Sequence, residues 1–308
     1  MNKISIVVPC YNEEAVLPLF FDTVEHKVKS QKLFDVEYIF VNDGSSDNTF
    51  QILRELKQEN DRVHYISFSR NFGKEAALYA GLKAANGDYV AVMDADLQDP
   101  PEMLLEMYKL ITTDDYDCIG SRRVTRKGEP VIRSFFAKMF YRIMSKISDV
   151  EIVDGARDFR LMKRYVVDAI LEMNEYNRFS KGIFCWVGFK TKYLEYENIE
   201  RAGGKTKWNF WKLFKYSVEG VVAFSTVPLF TTSFVGLICC AVSLITFIYF
   251  LANGLLFGTD GSGFSTLVCL FLLMSGILLL AIGVIGIYLS KVYMEVKARP
   301  QYIVKEKA

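Results

Sequence analysis

Short apolar runs alternate with stretches of helix-like periodicity over the first 120 residues of the chain. The runs predict strands and the stretches between them predict helices, because side chains repeat every two residues along a strand and about every 3.6 along a helix. The predicted strands cover residues 4–8, 36–41, 63–68, 89–93 and 116–120, and the predicted helices cover residues 14–28, 49–59, 74–85 and 101–112. This alternation predicts an α/β domain with a Rossmann-like, mostly parallel sheet covered by helices.

The next part of the chain is less regular and contains three local patterns. Residues 133–146 form a basic, helix-like stretch, residues 154–160 form a cluster of acidic and basic side chains, and residues 184–197 predict a β-hairpin. We assign all three to the same domain, which is therefore predicted to cover residues 1–207. Residues 208–228 mix aromatic and aliphatic side chains with lysines, which predicts an amphipathic helix in the headgroup layer of a membrane. An ordinary packing helix is the alternative for that segment.

Two long apolar segments follow and predict membrane helices. Residues 229–256 and 264–289 contain no Lys, Arg, Asp or Glu, and each exceeds the roughly 20 helical residues that cross a bilayer. A Gly-rich turn at residues 258–263 joins them, so residues 229–290 predict a transmembrane hairpin. Basic residues flank the hairpin on both sides, including a basic tail at 291–308, and none lies in the turn. This charge asymmetry predicts a multi-pass protein of the plasma (inner) membrane with its catalytic domain and both termini cytoplasmic.

Composition excludes several other classes. The apolar run at residues 4–8 is too short for a signal peptide and ends at Pro9. The six cysteines have no Cys-x-x-Cys spacing, so we expect free thiols rather than a disulfide framework or a zinc site. A net charge of +1 says little about partners by itself, and we expect a membrane but no nucleic acid among them.

Clusters of small polar residues follow four of the predicted strands. They occupy residues 9–14, 42–47, 69–74 and 94–96, and in parallel sheets the carboxyl ends of the strands form the ligand-binding edge. Asp94 and Asp96 end a buried strand and can share a divalent cation, Mg²⁺ or Mn²⁺, which also takes diphosphate oxygens. Capping of the next turn or helix is the alternative role for them.

Three familiar binding motifs are absent from the sequence. No Gly-x-Gly-x-x-Gly follows the first strand, and the chain has no phosphate-binding P-loop. The Asp94 segment also lacks the glycine and glutamate of a calcium-binding loop. A nucleotide diphosphate held by a metal is the interpretation that remains.

Four sequence blocks carry a family resemblance. Residues 7–14 (VVPCYNEE), 41–47 (VNDGSSD), 70–74 (RNFGK) and 94–101 (DADLQDPP) resemble glycosyltransferase family 2. The two predicted membrane helices and residues 158–162 (DFRLM) make the chain similar to the polyprenyl-phosphate glycosyltransferases, the group of the bactoprenol glucosyltransferases and dolichyl-phosphate mannose synthases. The resemblance implies a GT-A fold, a UDP- or GDP-sugar donor, a divalent cation and a polyprenyl phosphate acceptor. It also implies inversion at the anomeric carbon and a homo-oligomer, often a tetramer.

The resemblance also implies positions for the donor. The residues implied to contact the base and ribose are Pro9, Tyr11, Glu13 and Asp43, and those implied to surround the diphosphate and metal are Asp94, Ala95 and Asp96. Lys74 is a candidate counter-charge to phosphate. For Asp43 an Asx-turn is the alternative role, and Tyr11 and Glu13 could simply open a helix.

For the acceptor phosphate, arginines are the natural clamp because their guanidinium group pairs bidentately with phosphate. Resemblance to the mannose synthases favours Arg122 and Arg133 over Arg123. Lys205 and Lys207 lie in a Gly-containing segment that could close over the donor diphosphate or anchor to headgroups.

Asp158 matches the position that the family uses as catalytic base. Arg157 precedes it where many relatives have Gly, which leaves Asp154 as a rival for that role. Because a phosphomonoester is already largely a dianion at pH 7, we expect Asp158 mainly to orient the nucleophile.

The predicted reaction moves one sugar, glucose from UDP-glucose, to undecaprenyl phosphate on the cytoplasmic face of the membrane. UDP-N-acetylglucosamine or GDP-mannose is the alternative donor. A processive polysaccharide synthase fits less well, because the chain has no Gln-x-x-Arg-Trp motif and only two predicted membrane helices. A non-catalytic membrane scaffold is the alternative outside enzymology.

Overall fold

The computed structural model describes residues 1–28, 31–124, 153–197, 221–222, 225–257 and 263–308. These residues form two compact units, one of Met1–Ala223 with Arg299–Ala308 and one of Phe224–Ala298. Some predictions fall outside the described residues: the basic stretch with Arg133, most of the predicted headgroup helix, and Lys205 and Lys207.

The first unit is built on one mixed sheet, with strand order β7-β5-β6-β4-β1-β2-β3-β8. The strands are β1 Lys3–Cys10, β2 Asp35–Asn42, β3 Val63–Phe68, β4 Tyr89–Val92, β5 Cys118–Arg123, β6 Ala156–Lys163, β7 Thr191–Tyr196 and β8 Val304–Lys307. The helices are α1 Leu17–Lys27, α2 Thr49–Glu59, α3 Lys74–Ala84, α4 Met103–Thr113, α5 Arg164–Glu172 and α6 Ser180–Trp186. Of the described strand pairs, four are parallel and three antiparallel. The predicted mostly parallel, Rossmann-like sheet is confirmed.

The central strands are buried on both faces, which explains their nearly continuous apolar sequences. Ile6 and Val7 point to opposite faces of β1, and both are fully buried. On one face α4 packs Leu104 and Met107 into the core. On the other face α3 lies so close that a Cβ on Gly81 would come within 2.2 Å of Val7 Cγ1. Tight packing on both faces fixes where the strands end, and hence where the polar loops meet.

The structure departs from the predicted elements in two places. The predicted hairpin at residues 184–197 is wrong: Ser180–Trp186 is a helix with Ile183 and Phe184 buried, and one strand follows it, parallel to β5. A short apolar run cannot be assigned to strand or helix from periodicity alone, and here the run belongs to a helix. Helix α1 begins at Leu17 and not at residue 14, because the Glu13 carbonyl closes a turn by accepting from the amides of Val16 and Leu17.

The C-terminal residues return to the sheet of the first unit. The predicted basic tail at 291–308 contains the strand β8, which pairs antiparallel with β3. The Tyr302 ring stacks on Phe68 with the ring centroids 4.8 Å apart, and Glu306 accepts hydrogen bonds from Arg54 and Tyr65. An aromatic contact and an ion pair therefore reinforce the backbone ladder that covers the edge of β3.

The second unit consists of two long apolar helices, α7 Val227–Phe257 and α8 Phe264–Val296. Each contains a candidate membrane span, Val227–Thr246 and Leu273–Val296, with mean hydropathies of 2.1 and 2.3. None of either span is buried inside the structure, unlike a core helix of a soluble protein. An exposed apolar surface of this length is suited to lipid, so the chain is membrane-associated.

We expect Gly44→Ala to destabilise the first unit. Gly44 has φ +65°, and a Cβ there would lie 2.3 Å from the carbonyl carbon of Arg70, so the loops after β2 and β3 could not keep their close approach. The expected loss is about 2 kcal/mol or more in the free energy of unfolding, measured by thermal unfolding of the full chain in detergent. Gly283→Ala is the matched control, because nothing lies within 4 Å of the added Cβ. Equal stability of the two variants would contradict the packing described here.

Candidate active site

The loops that follow β1, β2 and β3 are joined by hydrogen bonds at the carboxyl edge of the sheet. Asn12 links the first two loops: its amide donates to Ser45 Oγ at 2.9 Å and its Oδ1 accepts from the amide of Ser46 at 2.8 Å. Asp43 links the second and third loops by accepting from the amide of Phe72 at 2.7 Å. The predicted convergence of polar loops on one edge is therefore present in the structure.

Asp43 is a buried carboxylate that organises the loop before α3. Its oxygens accept from the amides of Phe72 and Gly73, and only 4% of the residue is exposed. Burial raises the pKa of Asp43, although these two amide bonds lower it. The Asx-type bond belongs instead to Asn42, whose Oδ1 accepts from the amide of Ser45 at 3.1 Å. The role predicted for Asp43 at the nucleotide stays a prediction.

Pro9, Tyr11 and Glu13 lie at the same edge. Pro9 is in register with Val41 in the last part of β1, and Tyr11 follows that strand. Glu13 donates its amide to Thr49 Oγ1 at 2.8 Å and closes the turn before α1, as the helix-opening interpretation expects. The contacts of these side chains with a nucleotide stay a prediction.

A single ammonium group joins two of the predicted site carboxylates. Lys74, the first residue of α3, places Nζ 2.6 Å from Asp94 Oδ1 and 2.6 Å from Asp158 Oδ2. Asp94 follows β4, and Asp158 lies in β6. The structure thus brings together the diphosphate and base candidates, and it places Lys74 between them. Its amine was predicted as a counter-charge to phosphate, and here it neutralises carboxylates.

Charge and burial oppose each other in this cluster. Burial alone would raise the pKa of Asp158, but the nearby ammonium groups of Lys74 and Lys181 hold it well below its usual range. Burial likewise would lower the pKa of Lys74, but the carboxylates of Asp158 and Asp94 raise it. The ionised pair is therefore favoured at neutral pH, and Asp158 is poised as an acceptor of hydrogen bonds rather than as a donor of a proton.

Asp94, Ala95 and Asp96 form a sharp turn after β4. Ala95 is 3% exposed, Leu97 has a φ of +54°, and Asp96 Oδ1 accepts from the amide of Gln98 at 3.2 Å. A non-glycine residue at positive φ is uncommon and is enriched at functional sites.

The two aspartates of this turn fit a hard divalent cation that completes its shell elsewhere. Mg²⁺ is typically held by one or two carboxylates together with substrate phosphates and water. Within the described residues, no group of three or more His, Cys, Asp or Glu side chains could hold a metal ion. Any metal held by Asp94 and Asp96 would therefore have no third ligand of these four types among the described residues.

The two candidate bases differ in their surroundings. Asp158 contacts the Lys74 ammonium, whereas the carbonyl of Asp154 accepts from Arg122 Nε at 3.0 Å in the turn before β6. Arg122 also pairs with Glu195 at 3.3 Å, so its guanidinium lies beside the Asp154 turn. The pairing of β5 with β6 is irregular between Gly120 and Arg122, opposite Asp158. Such irregularities are common beside active sites because they redirect side chains.

Two acidic groups beside the cluster, buried Asp99 and partly buried Glu75, were missed from sequence. Glu75, next to Lys74, accepts from the amide of Ser180 at 3.0 Å and from its hydroxyl. Asp99 accepts from Arg157 Nε at 3.3 Å and from the Tyr196 hydroxyl. Asp99 lies inside the block 94–101, so a signal was available for it. For Glu75 the only signal was its place in the first turn of α3.

Both a family model and near full-length relatives match this chain. The family model described as Glycosyl transferase family 2 matches residues 5–171. The SfII prophage-derived bactoprenol glucosyl transferase of Shigella flexneri is 40% identical over 304 residues, which are 99% of this chain and 98% of that protein. The prophage bactoprenol glucosyl transferase homolog of Escherichia coli K12 is 40% identical over 303 residues, with 98% of each chain covered.

Among solved structures, the mannosyltransferase PcManGT from Pyrobaculum calidifontis, in complex with GDP-Man and Mn²⁺, has a TM-score of 0.49 and 18% identity. The alignment covers 70% of this chain and 61% of that one.

Glu75→Gln is expected to change how stability depends on pH. Burial, with a contribution from Asp158, raises the pKa of Glu75 from 4.5 to about 7. The folded state therefore binds this proton more tightly than the unfolded state, and its stabilising effect is complete below pH 4.5 and lost as the pH rises through 7. Glutamine cannot ionise, so the variant should gain stability relative to wild type between these pH values, with a Tm difference of about 2–4 °C per kcal/mol.

The measurement is thermal unfolding of full-length wild type and variant in detergent across that pH range. Exposed Glu172, on α5, serves as the control site: Glu172→Gln changes the net charge equally outside the cluster. If the wild-type and Glu75→Gln curves run parallel, the pKa of Glu75 is not raised.

Proposed function

This chain belongs to glycosyl transferase family 2, and from that premise we propose that it transfers glucose from UDP-glucose to undecaprenyl phosphate with inversion at the anomeric carbon. The observation that carries the proposal is the meeting of Asp94 and Asp158 at Lys74, in a chain that also has two candidate membrane spans. Relatives 40% identical over nearly the whole length are named bactoprenol glucosyl transferases, which supports a lipid acceptor.

In the proposed complex the donor lies over the carboxyl edge of the sheet. Residues after β1 and β2 contact the base and ribose, namely Pro9, Tyr11, Glu13 and Asp43. Asp94, Ala95 and Asp96 surround the diphosphate. Asp94 and Asp96 would hold Mg²⁺ or Mn²⁺, whose charge stabilises the departing UDP when it is bound. The half-buried state of both carboxylates suits this role, because they stay accessible to ligands while bulk water is partly excluded.

Lys74 also reduces the repulsion between Asp158 and the acceptor phosphate. A phosphate dianion that approaches Asp158 would be repelled by an uncompensated carboxylate. The ammonium group 2.6 Å from Asp158 offsets that charge. The acceptor phosphate needs little deprotonation at pH 7, so Asp158 orients the nucleophile and does not have to take its proton. Arg122, with Arg133, Lys205 and Lys207, is proposed to bind the remaining phosphate oxygens.

Chain connectivity supports the proposed membrane arrangement. The segments before α7 and after α8 both belong to the first compact unit, and one folded unit cannot lie on both sides of a membrane. This supports two complete spans with both termini on the same face. The connecting turn has no basic residue in its sequence, whereas the flanking segments have several, and this asymmetry supports a cytoplasmic location for the shared face. A homo-oligomer, a tetramer by resemblance to the family, is part of the same proposal.

Sugar transfer into lipid is the direct test of the proposal. Radiolabelled UDP-glucose, UDP-N-acetylglucosamine, UDP-galactose and GDP-mannose are each incubated with full-length protein and undecaprenyl phosphate, with Mg²⁺, Mn²⁺ or a chelator. We expect label from UDP-glucose to enter the organic phase only with a metal present. Label from a different donor would correct the sugar, and no label from any donor, with protein shown to be folded, would overturn the proposed activity.

The same assay separates the two candidate bases. Asp158→Asn should lower turnover at least 100-fold, because it removes the group that orients the acceptor and leaves Lys74 underneutralised. Asp154→Asn is the matched control and should have a much smaller effect. If the Asp154 variant is the inactive one, the roles assigned to the two aspartates are reversed.

The proposed orientation can be tested by cysteine labelling in intact cells. In a background without the natural cysteines, a Cys in place of Asp260, in the turn between the predicted membrane helices, should react with a membrane-impermeant maleimide. A Cys in place of Lys305 should react only after the cells are permeabilised. The reverse pattern would place the catalytic domain outside, and labelling of both sites in intact cells would contradict a hairpin.

A further inference from the structure

A buried carboxylate beside the candidate active site has one oxygen without a partner. Asp99 is 4% exposed, and its Oδ1 accepts from Arg157 Nε and from the Tyr196 hydroxyl. Its Oδ2 is buried and has no hydrogen-bond partner in the part of the chain that the structure describes. Buried carboxylate oxygens are normally satisfied, and an unpaired one is costly. The free Oδ2 therefore calls for a ligand.

The arginine that holds Asp99 also retains unused hydrogen-bonding capacity. Arg157 donates from Nε to Asp99 and from Nη2 to Gln98 Oε1 at 3.4 Å. A guanidinium has five N–H donors, and no bond from Nη1 occurs within the described residues. Its side chain is 24% exposed, so Arg157 is partly accessible to a ligand. An open acceptor and an open donor thus lie next to each other.

Arg157 interacts electrostatically with carboxylates at both ends of the proposed reaction. Burial alone would lower the pKa of Arg157, but the charges of Asp99 and Asp94 raise it, and Asp158 contributes in the same direction. Arg157 is therefore close enough to interact electrostatically with both Asp94 and Asp158. Because Arg157 and Asp158 are neighbours in β6, their side chains leave the strand on opposite faces. Asp158 reaches Lys74, and Arg157 reaches the loop after β4.

On the basis of the proposed function, we propose that Asp99 and Arg157 form the subsite that recognises a hydroxyl group of the donor hexose. Asp99 Oδ2 accepts the hydroxyl hydrogen, and Arg157 donates to the oxygen of the same or the neighbouring hydroxyl. Tyr196 is a positioning residue, because it fixes Oδ1 and so directs Oδ2. The hexose lies next to its diphosphate, and Asp99 and Arg157 meet at the loop that also carries Asp94 and Asp96.

A sugar hydroxyl matches the pair because it is donor and acceptor at once. Burial raises the pKa of Asp99, although the charge of Arg157 and the hydrogen bond from Tyr196 lower it, so the ionised carboxylate is not fully compensated. A further donor at Oδ2 would supply the missing stabilisation. A site that hydrogen-bonds a substrate hydroxyl discriminates strongly against an analogue without it, because the buried polar groups are then left unpaired.

The test compares donor binding and sugar transfer between wild type and the variant Asp99→Asn. The substitution keeps the side-chain volume and an oxygen acceptor for Arg157 and Tyr196, but it replaces the unpaired Oδ2 by an amide NH2 group. Binding of UDP, UDP-glucose and the four UDP-monodeoxyglucoses (2-, 3-, 4- and 6-deoxy) to the full-length protein is measured by calorimetry with Mn²⁺. We expect wild type to lose about 10- to 100-fold in affinity for one deoxy analogue. Asp99→Asn should bind UDP-glucose as weakly as that analogue, with unchanged affinity for UDP.

Two control variants separate recognition from structure. Tyr196→Phe leaves Oδ2 in place but loosens its direction, so it should weaken binding of all hexose donors by a similar factor. Asp115→Asn removes a carboxylate that is 92% exposed and remote from the cluster, and it should leave the analogue pattern unchanged.

The subsite is overturned if Asp99→Asn weakens UDP and UDP-glucose equally, which would make Asp99 a structural anchor only. It is also overturned if wild type does not distinguish any deoxy analogue from UDP-glucose. Transfer of label by wild type decides the proposed function independently, because it does not depend on the analogue pattern. If wild type transfers glucose but does not distinguish any deoxy analogue, the proposed function stands and the proposed subsite is wrong.

Discussion

The ion pair of one lysine with two aspartates is the interaction on which the rest of the site depends. Lys74 Nζ joins Asp94 at the end of β4 to Asp158 in β6. Two carboxylates brought together at a half-buried edge would repel each other, and each would tend to take up a proton. The Lys74 ammonium offsets the repulsion between the carboxylates and keeps them ionised. It also ties α3 to two strands, so the first turn of that helix is fixed by charge as well as by packing.

Neighbouring residues of β6 serve different layers of the site because a strand alternates its side chains. Asp158 is directed to α3, and Arg157 is directed to the loop after β4. Further along the same strand, Arg160 lies over the ring of Phe184 with its guanidinium carbon 3.6 Å from the centroid. This cation–π contact and the Glu75–Ser180 bonds connect α6 to the site. Helix α6, part of which was predicted as a hairpin, thus supports the strand that carries Asp158, the base candidate.

Much of the first unit could be predicted from sequence, because buried parallel strands have continuous apolar runs. Residues 63–68 and 49–59 were predicted with the bounds that the structure has. The site residues at strand ends could be predicted for the same reason. The antiparallel insertion of β6 between β4 and β5 could not, since pairing order leaves no local signal. The Lys74–Asp158 and Asp99–Arg157 contacts were hidden too, because each joins residues more than 50 positions apart.

Strand β8 joins the sheet of the first unit only after both apolar helices along the chain. Along the chain, β1 to β7 come first, two apolar helices follow, and the strand that covers β3 comes after both helices. During synthesis the chain folds from its N-terminus, so the β3 edge stays unpaired until both apolar helices and the strand that follows them have been made. An open strand edge is prone to associate with other chains. The sheet can therefore be completed only after both helices have been made, and a chain stalled during membrane insertion would keep an unpaired strand edge.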